Sequence, residues 1–401
     1  MSAPLKVSEI GGAPLAGLRI EPISIRRRLA LSRIAEVIAL PIVFAFSLEA
    51  ACRIEDWVEF RTPVLARERS QEDLLVRDAL GMHGRPGGHF QKWSLNAFGM
   101  RGPEVPLAKS ADAVRVVTVG ASETFGLYES PGREYPRQLE DTLNAHLKRL
   151  PSACEQSRAQ VLNAAMPGMS LPTIEQDVRL RISPLRPDFV VVYATPAAYL
   201  DDVLPVAARR NTTGAVLALP ARFALHPRVA DRIRVQIKSL LPTVIQDRIR
   251  RKQIAAMLAE HPSGWRFESV PPERLEKFEA DLRQLVGSIR SVGATPVLMT
   301  HANRFVGSRT PDIAALRAWE KFYPRASGQT IVAFDSVARR ATLAIARDSQ
   351  AVVVDLTPVL ARTNGSAFAD FSHFTDSGAA LAAETASRSL LAALRTNTRC
   401  H

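Results

Sequence analysis

The chain has 401 residues, a formal net charge of +12 and an apolar content of 46%, which is the composition of a globular protein rather than a disordered one. Its 52 basic residues are spread along the chain and are not concentrated on one element, so nucleic acid is not an expected partner. The spacing of Cys52, Cys154 and Cys400 excludes a zinc knuckle and a CxxC redox pair. No phosphate-binding or dinucleotide-binding glycine motif occurs, and neither a cofactor nor a metal is predicted.

An apolar segment near the N-terminus is the first predicted element. Residues 1–28 end in three arginines, and the segment that follows carries only Glu36 and Glu49 between Arg33 and Arg53. At 1.5 Å per residue these 19 residues would cover about 28 Å, close to the roughly 30 Å hydrocarbon core of a bilayer. The segment is therefore predicted to be a membrane helix.

The basic flank of this helix predicts its orientation, since positive residues stay on the cytoplasmic side. We expect a cytoplasmic tail over 1–28 and an uncleaved signal anchor over 29–52. The protein would then be a single-pass protein of the inner membrane, with its remaining residues in the periplasm or outside the cell. A cleaved signal peptide and a buried amphipathic helix are the two alternatives.

Alternating strand and helix signals begin after residues 53–110, which are interpreted as a stem. The predicted strands are Val114–Val119, Val161–Asn163, Phe189–Tyr193, Pro296–Thr300 and Ala351–Leu356. Short buried strands that alternate with helices favour a parallel sheet covered on both faces. Residues 111–401 are therefore predicted to form a doubly wound α/β domain.

The third and fourth predicted strands are separated by about a hundred residues, far more than a usual connection. Residues 200–272 are therefore predicted to be an insertion. Its basic amphipathic portion contains Arg228, Arg232, Arg234, Lys238, Arg248, Arg250, Arg251 and Lys252. This portion could rest on anionic lipid headgroups or face an acidic polymer. A solvated helix face is the simplest of the three interpretations.

Two short motifs contain residues that could carry chemistry. GASETFG, Gly120–Gly126, follows the first strand directly, so Ser122 lies where open α/β sheets bind ligands. FADFSHFTDSG, near the C-terminus, places Asp370 three residues before His373, a spacing at which a carboxylate can orient an imidazole. Each motif alone could be an ordinary turn or helix cap. Because both follow strands of one sheet, we predict that Ser122, Asp370 and His373 act as nucleophile, orienting carboxylate and base.

On these motifs the sequence resembles the SGNH, or GDSL-like, hydrolase superfamily over most of residues 112–395. GASETFG is similar to its nucleophile block, with Ala121 where an Asp is frequent, and Asp370 with His373 is similar to its last block. VLNAAMPGMS is similar to the second block, in which Gly168 would supply an oxyanion N–H. The resemblance implies a three-layer α/β/α fold with a central, mostly parallel, five-stranded sheet of flavodoxin-like type.

The segment ahead of the nucleophile also contributes to the resemblance. NAFGMRGPE, Asn96–Glu104, is similar to a segment often found in membrane-anchored bacterial members. A glycine-rich turn is the alternative interpretation.

The sequence departs from the superfamily at the third block, where Gly-x-Asn-Asp normally supplies a side-chain oxyanion donor. The corresponding run is VVVYATPAAYLDD, and the Asn position falls on or near Ala197, which cannot donate a hydrogen bond. The backbone N–H groups of Ser122 and Gly168 remain as oxyanion donors, and Thr195 is the candidate replacement. His301, after the fourth strand, could contact substrate or be a structural histidine.

The resemblance and the expected location together imply a serine-dependent ester hydrolase or acyl transferase, whose partners are the membrane and an ester or acylated carbohydrate. A glycan-binding module with impaired catalysis and a binder of acidic polymers are the alternatives. Whether Cys154 and Cys400 pair is left open, because the sequence does not give the distance between their Cα atoms.

Overall fold

The computed structural model describes residues 25–65, 71–149, 158–201, 228–307 and 312–397. The chain divides into two units, Met1–Cys52 and a larger compact unit, Arg53–His401. Cys154 and Cys400 lie outside the described residues, as do most of the predicted tail and the first part of the predicted insertion.

A single long helix, α1, runs over Ile25–Phe60 and includes the predicted anchor. An 18-residue window of its portion Val37–Phe60 has a mean hydropathy of 1.9, and this portion is long and apolar enough to cross a membrane by length and composition. The last turns of α1, from Arg53 onward, belong to the compact unit.

Two short antiparallel hairpins precede the central sheet. They pair β1, Leu75–Asp78, with β2, Gly81–Gly84, and β3, His89–Phe90, with β4, Trp93–Ser94. Leu74, Trp93 and Met100 from this region are buried in the same hydrophobic core as side chains of the central sheet. Residues 71–110 are therefore part of the compact unit, where the sequence had suggested a separate stem, because their apolar side chains are buried against the sheet layer.

The central sheet has five parallel strands. They are β5, Ala113–Gly120; β6, Arg158–Asn163; β7, Phe189–Tyr193; β8, Thr295–Met299; and β9, Val352–Val354. Their spatial order is β6-β5-β7-β8-β9, which is the 2-1-3-4-5 order of flavodoxin-like folds. The predicted α/β class and the five-stranded parallel sheet are confirmed.

Helices cover both faces of this sheet. The described helices that follow α1 are, in chain order, α2, Ser122–Phe125; α3, Tyr135–Leu147; α4, Leu171–Asp177; α5, Arg228–Leu240; α6, Thr243–Ala259; α7, Pro272–Ser291; α8, Ile313–Phe322; α9, Gly328–Asp348; α10, Thr357–Leu360; and α11, Asp376–Asn397. Side chains alternate between the faces along each strand, so that Val117 packs in the core beneath α7 and α9 whereas Val116 packs in the core beneath α3 and α11. The result is the three-layer α/β/α arrangement that was expected.

Candidate active site

Ser122 begins α2 immediately after the buried strand β5. The turn between them requires small residues, since a Cβ on Gly120 would lie 2.7 Å from the carbonyl oxygen of Tyr193. Gly126 ends α2 at a φ of +86°, in the left-handed region that favours glycine. These constraints hold Ser122 at the carboxyl edge of the sheet, where it is half-buried.

A hydrogen-bonded chain joins Ser122 to the DxxH motif. Nε2 of His373 lies 2.9 Å from Oγ of Ser122, and Nδ1 of His373 donates to Oδ2 of Asp370 at 2.8 Å. Oδ1 of Asp370 also accepts the backbone N–H of His373 at 2.9 Å. Because the carboxylate only accepts, Nδ1 carries a proton, and in the neutral imidazole Nε2 is left free to accept the Ser122 proton.

Arg101, in the motif ahead of the nucleophile, stabilises the short helix α2 that Ser122 begins. Its buried guanidinium donates to the carbonyl oxygens of Phe125 and Gly126 and forms an ion pair with Glu134 at 3.2 Å. The backbone of Arg101 also forms a bridge to Asn163 at the end of β6. The segment NAFGMRGPE is thus a packed support of the Ser122 turn rather than an isolated glycine-rich turn.

Gly168 follows β6, the neighbour of β5 in the sheet, and has a φ of +83°. The two loops are tied together because Nδ2 of Asn163 donates to the carbonyl oxygen of Thr124 at 2.9 Å. In the part of the chain that the structure describes, no hydrogen bond uses the N–H of Ser122 or of Gly168. Their role as oxyanion donors stays a prediction.

The third-block position is occupied by a short 3₁₀ turn, Pro196–Leu200, in which Ala197 is fully buried. The Thr195 hydroxyl donates to Oε2 of Glu123 at 3.1 Å. A hydroxyl has one proton, so Thr195 would have to break this bond before it could donate to an oxyanion. Its role as oxyanion donor stays a prediction.

Glu123, the residue after the nucleophile, was not recognised in the sequence. It is only 2% exposed, and its Oε1 accepts the hydroxyl of Ser372 at 3.0 Å. Its Oε2 also lies 3.3 Å from Oγ of Ser122. Burial opposes ionisation, but the facing His301 and the charge of His373 hold the pKa of the Glu123 carboxyl well below its usual range. A fixed negative charge therefore lies beside the nucleophile.

His301 continues this buried network on the far side of Glu123. Its Nδ1 donates to Asp335 at 2.6 Å, its Nε2 faces Oε1 of Glu123 at 3.8 Å, and Asn303 donates to the second oxygen of Asp335 at 2.6 Å. Burial lowers the pKa of His301, but the two flanking carboxylates outweigh it and raise the pKa to about 10. The raised pKa favours the imidazolium form of His301, which lies between the two carboxylates.

A cavity of about 240 Å³ lies on the Asp335 side of His301. Its lining includes His301, Asn303, Phe305, Asp335 and Arg339. The imidazole of His301 borders this cavity, so the predicted contact between His301 and substrate stays a prediction for a ligand that enters there.

The charges around His373 also set its own pKa. Burial lowers the pKa of His373, but the hydrogen bond to Asp370 and the charges of Glu123, Asp370 and Glu129 outweigh it, so that the net shift is upward. Burial raises the pKa of Glu129 to about 7. The ring of Tyr128 lies 5.1 Å from that of His373 and borders the site.

The comparisons with known proteins give similarities to solved structures. A protein assigned to the G-D-S-L family of lipolytic proteins, from Desulfitobacterium hafniense DCB-2, is 14% identical, with 69% of this chain and 99% of that chain covered and a TM-score of 0.37. The acetylxylan esterase Axe2 from Geobacillus stearothermophilus is 14% identical, with 70% and 96% covered and a TM-score of 0.39. A lipase/acylhydrolase from Enterococcus faecalis is 12% identical, with 72% and 98% covered and a TM-score of 0.40. No family model and no curated protein matches the chain.

The identities of 12% and 14% leave the chemistry of this chain to be argued from its own residues.

Proposed function

We propose that this protein is a serine-dependent ester hydrolase or acyl transferase of the SGNH type, which works through an acyl-Ser122 intermediate. The observation that carries the proposal is the continuous chain from Oγ of Ser122 through the imidazole of His373 to Asp370, with distances of 2.9 and 2.8 Å. A serine, a base and an orienting carboxylate at these distances form an activated nucleophile.

In the first half of the reaction, Nε2 of His373 takes the Ser122 proton while Oγ bonds to the acyl carbon. Asp370 keeps Nδ1 protonated and stabilises the imidazolium that forms. The negative oxygen of the tetrahedral intermediate accepts the N–H groups of Ser122 and Gly168. His373 then donates its proton to the departing alkoxide, and the acyl group remains on Ser122.

In the second half, His373 removes a proton from water or from a carbohydrate hydroxyl, which attacks the acyl carbon. The proton returns to Ser122 as the acyl–oxygen bond breaks. Water gives hydrolysis and a sugar hydroxyl gives transfer, with the same residues in the same roles.

The fixed charge of Glu123 favours the imidazolium form of His373, and it also offers the Ser122 hydroxyl a second acceptor. When His373 is protonated on both nitrogens, its Nε2–H donates a hydrogen bond to Oγ of Ser122. The Ser122 hydroxyl can then donate its own hydrogen bond only to Glu123. Nε2 of His373 lies 2.9 Å from Oγ of Ser122 and Oε2 of Glu123 lies 3.3 Å from it, so the neutral imidazole would be the nearer acceptor. Deprotonation of His373 is therefore the switch that prepares Ser122 for attack.

The proposed location is the outer face of the inner membrane, with the anchor over 29–52 in the bilayer. The apolar portion of α1 and its arginine-rich N-terminal flank support this orientation. An acylated carbohydrate of the cell envelope is the substrate class that this location favours.

A fluorophosphonate probe tests the nucleophile in the full chain in detergent micelles. We expect covalent labelling of the unchanged protein and of Ser372→Ala, whose hydroxyl bonds to Glu123 and not to His373, and none of Ser122→Ala. Turnover of an aryl acetate should be lost in Ser122→Ala by roughly 10⁶-fold, as for other serine nucleophiles that act with a histidine. Labelling that persists in Ser122→Ala would refute the proposal.

The second candidate is a glycan-binding module, favoured by the buried Ala197 at the third-block position. Loss of one oxyanion donor costs about 2.7–4 kcal/mol of transition-state stabilisation. This candidate predicts glycan binding that is equal in the unchanged protein and in Ser122→Ala, without turnover of aryl acetates by either.

A further inference from the structure

Helix α5 carries an apolar stripe that no other described part of the chain covers. Ile233, Ile237 and Leu240 recur at a spacing of four and three residues, which places them on one helix face. They are 51%, 55% and 80% exposed. An amphipathic helix of a globular protein normally turns such a face toward the core, so this stripe lacks the usual partner.

The next helix, α6, also exposes aliphatic side chains, together with basic ones. Val244, Ile245 and Ile249 are exposed, and Arg248 and Lys252 lie between and after them on the same side of the helix. We call these five residues together with Ile233, Ile237 and Leu240 the arm surface. Exposed aliphatic side chains mixed with arginine and lysine are typical of helices that lie in a membrane interface.

Ion pairs fix α5 to the last turns of α1. Arg232 pairs with Glu55 and, at 2.7 Å, with Asp56, which is buried. Arg228 lies 3.7 Å from the same Asp56, and its guanidinium stacks over the ring of Phe90 at 4.9 Å. The contacted residues belong to the compact unit, so α5 is fixed within that unit at the point where the chain enters it.

This entry point directly follows the predicted anchor, residues 29–52. Cys52 is its last residue, and Asp56 follows four residues later in the same helix, which corresponds to about 6 Å at 1.5 Å per residue. If the predicted anchor crosses a bilayer, Asp56, which pairs with Arg228 and Arg232 of α5, therefore lies about one helical turn along the chain from the last residue of the anchor.

We propose that the arm surface binds the bilayer that the anchor crosses. The aliphatic side chains of α5 and α6 enter the boundary between headgroups and acyl chains, and Arg248 and Lys252 bind anionic headgroups. A second copy of the chain fits this surface less well, because the basic residues of two identical surfaces would repel each other. The proposal rests on the proposed anchor and is independent of the ester chemistry.

Contact with lipid is measurable by fluorescence quenching in the full chain. The protein is reconstituted at one copy per nanodisc of phosphatidylcholine and phosphatidylglycerol, with the phosphatidylcholine brominated along its acyl chains. The variant Ile237→Trp is compared with Val235→Trp, whose position is 63% exposed on the opposite side of α5, and the quenching of the four native tryptophans is subtracted.

We expect bromolipid to cause a loss of fluorescence for Ile237→Trp that exceeds the loss for Val235→Trp. Equal quenching of the two variants would overturn the proposal, and a surface covered by residues 202–227 would give that result. A chain that does not co-elute with the nanodiscs refutes the anchor and this proposal together. Fluorophosphonate labelling of Ser122 in the same sample tests the ester chemistry separately.

Two further substitutions test the proposed contact of Arg248 and Lys252 with anionic headgroups. At a constant bromolipid fraction, quenching of Ile237→Trp should rise with the phosphatidylglycerol fraction, and the additional changes Arg248→Glu and Lys252→Glu should abolish that rise. A rise that survives both changes would contradict the assignment of these two residues to anionic headgroups.

Discussion

His373 and His301 each have an aspartate as the partner of Nδ1, but the partners of Nε2 differ. Nδ1 of each donates to an aspartate, at 2.8 Å to Asp370 and at 2.6 Å to Asp335. Nε2 of His373 reaches the hydroxyl of Ser122, whereas Nε2 of His301 faces the carboxylate of Glu123. A histidine between a carboxylate and a hydroxyl can exchange a proton with that hydroxyl, but a histidine between two carboxylates stays charged. The partner of the second nitrogen therefore distinguishes a base from a fixed cation.

The two histidines are connected through Glu123, which lies near both. It holds His301 in the imidazolium form and raises the pKa of His373. A single carboxylate thus contributes to the stability of the buried network and to the protonation of the proposed base.

The largest expected effect is a loss of activity when Asp370, the carboxylate partner of His373, is changed. Asp370→Asn should lower kcat on an aryl acetate by about 10⁴-fold, because the amide can donate to Nδ1 and so stabilises the wrong tautomer. The control Asp141→Asn changes an exposed aspartate of α3 and should leave kcat unchanged. A kcat for Asp370→Asn within tenfold of the unchanged protein, at an unaltered unfolding temperature, would show that Asp370 does not orient the base.

The next effect is a loss of folding stability when His301 is changed. His301→Gln leaves two buried carboxylates without their cation, and breaking such a buried pair costs about 3–5 kcal/mol of the free energy of unfolding. Denaturant unfolding of the full chain in micelles measures this loss. His146→Gln changes an exposed histidine of α3 and is the matched control.

The loss of stability in His301→Gln should also depend on pH. The pKa of His301 is raised from 6.5 to about 10 in the folded protein, so its contribution to stability is present below pH 6.5 and is lost as the pH rises toward 10. The difference in the free energy of unfolding between the unchanged protein and His301→Gln should therefore shrink over this interval. A difference that is constant with pH would contradict the assignment of the charge to His301.

The smallest effect tests the connection between the two histidines. Glu123→Gln removes a negative charge that raises the pKa of His373, so the base loses its proton at a lower pH. The acid limb of the pH profile of kcat/KM should move to lower pH, whereas Glu276→Gln, which changes an exposed residue of α7, should leave it in place. An unmoved acid limb in a folded Glu123→Gln protein would mean that Glu123 acts on His301 alone.

The sequence by itself determined the features that depend on local patterns. Alternation of β-branched runs with helical periodicity predicted the five parallel strands, and these are confirmed. The turn after β5 and the spacing of Asp370 and His373 predicted Ser122, Asp370 and His373 as site residues. Such predictions can be made from the sequence because side-chain periodicity and turn chemistry are properties of neighbouring residues.

Only the tertiary structure decided which side chains join across the sheet edge. Glu123, His301 and Asp335 come from segments far apart in the chain, and Glu123 alone resembles an ordinary acidic residue in the first turn of a helix. They meet because the carboxyl ends of β5 and β8 lie at the same edge of the sheet and α9 brings Asp335 there. In the same way, burial of Leu74, Trp93 and Met100 made the expected stem part of the compact unit, since burial depends on the packing of distant segments and not on local sequence.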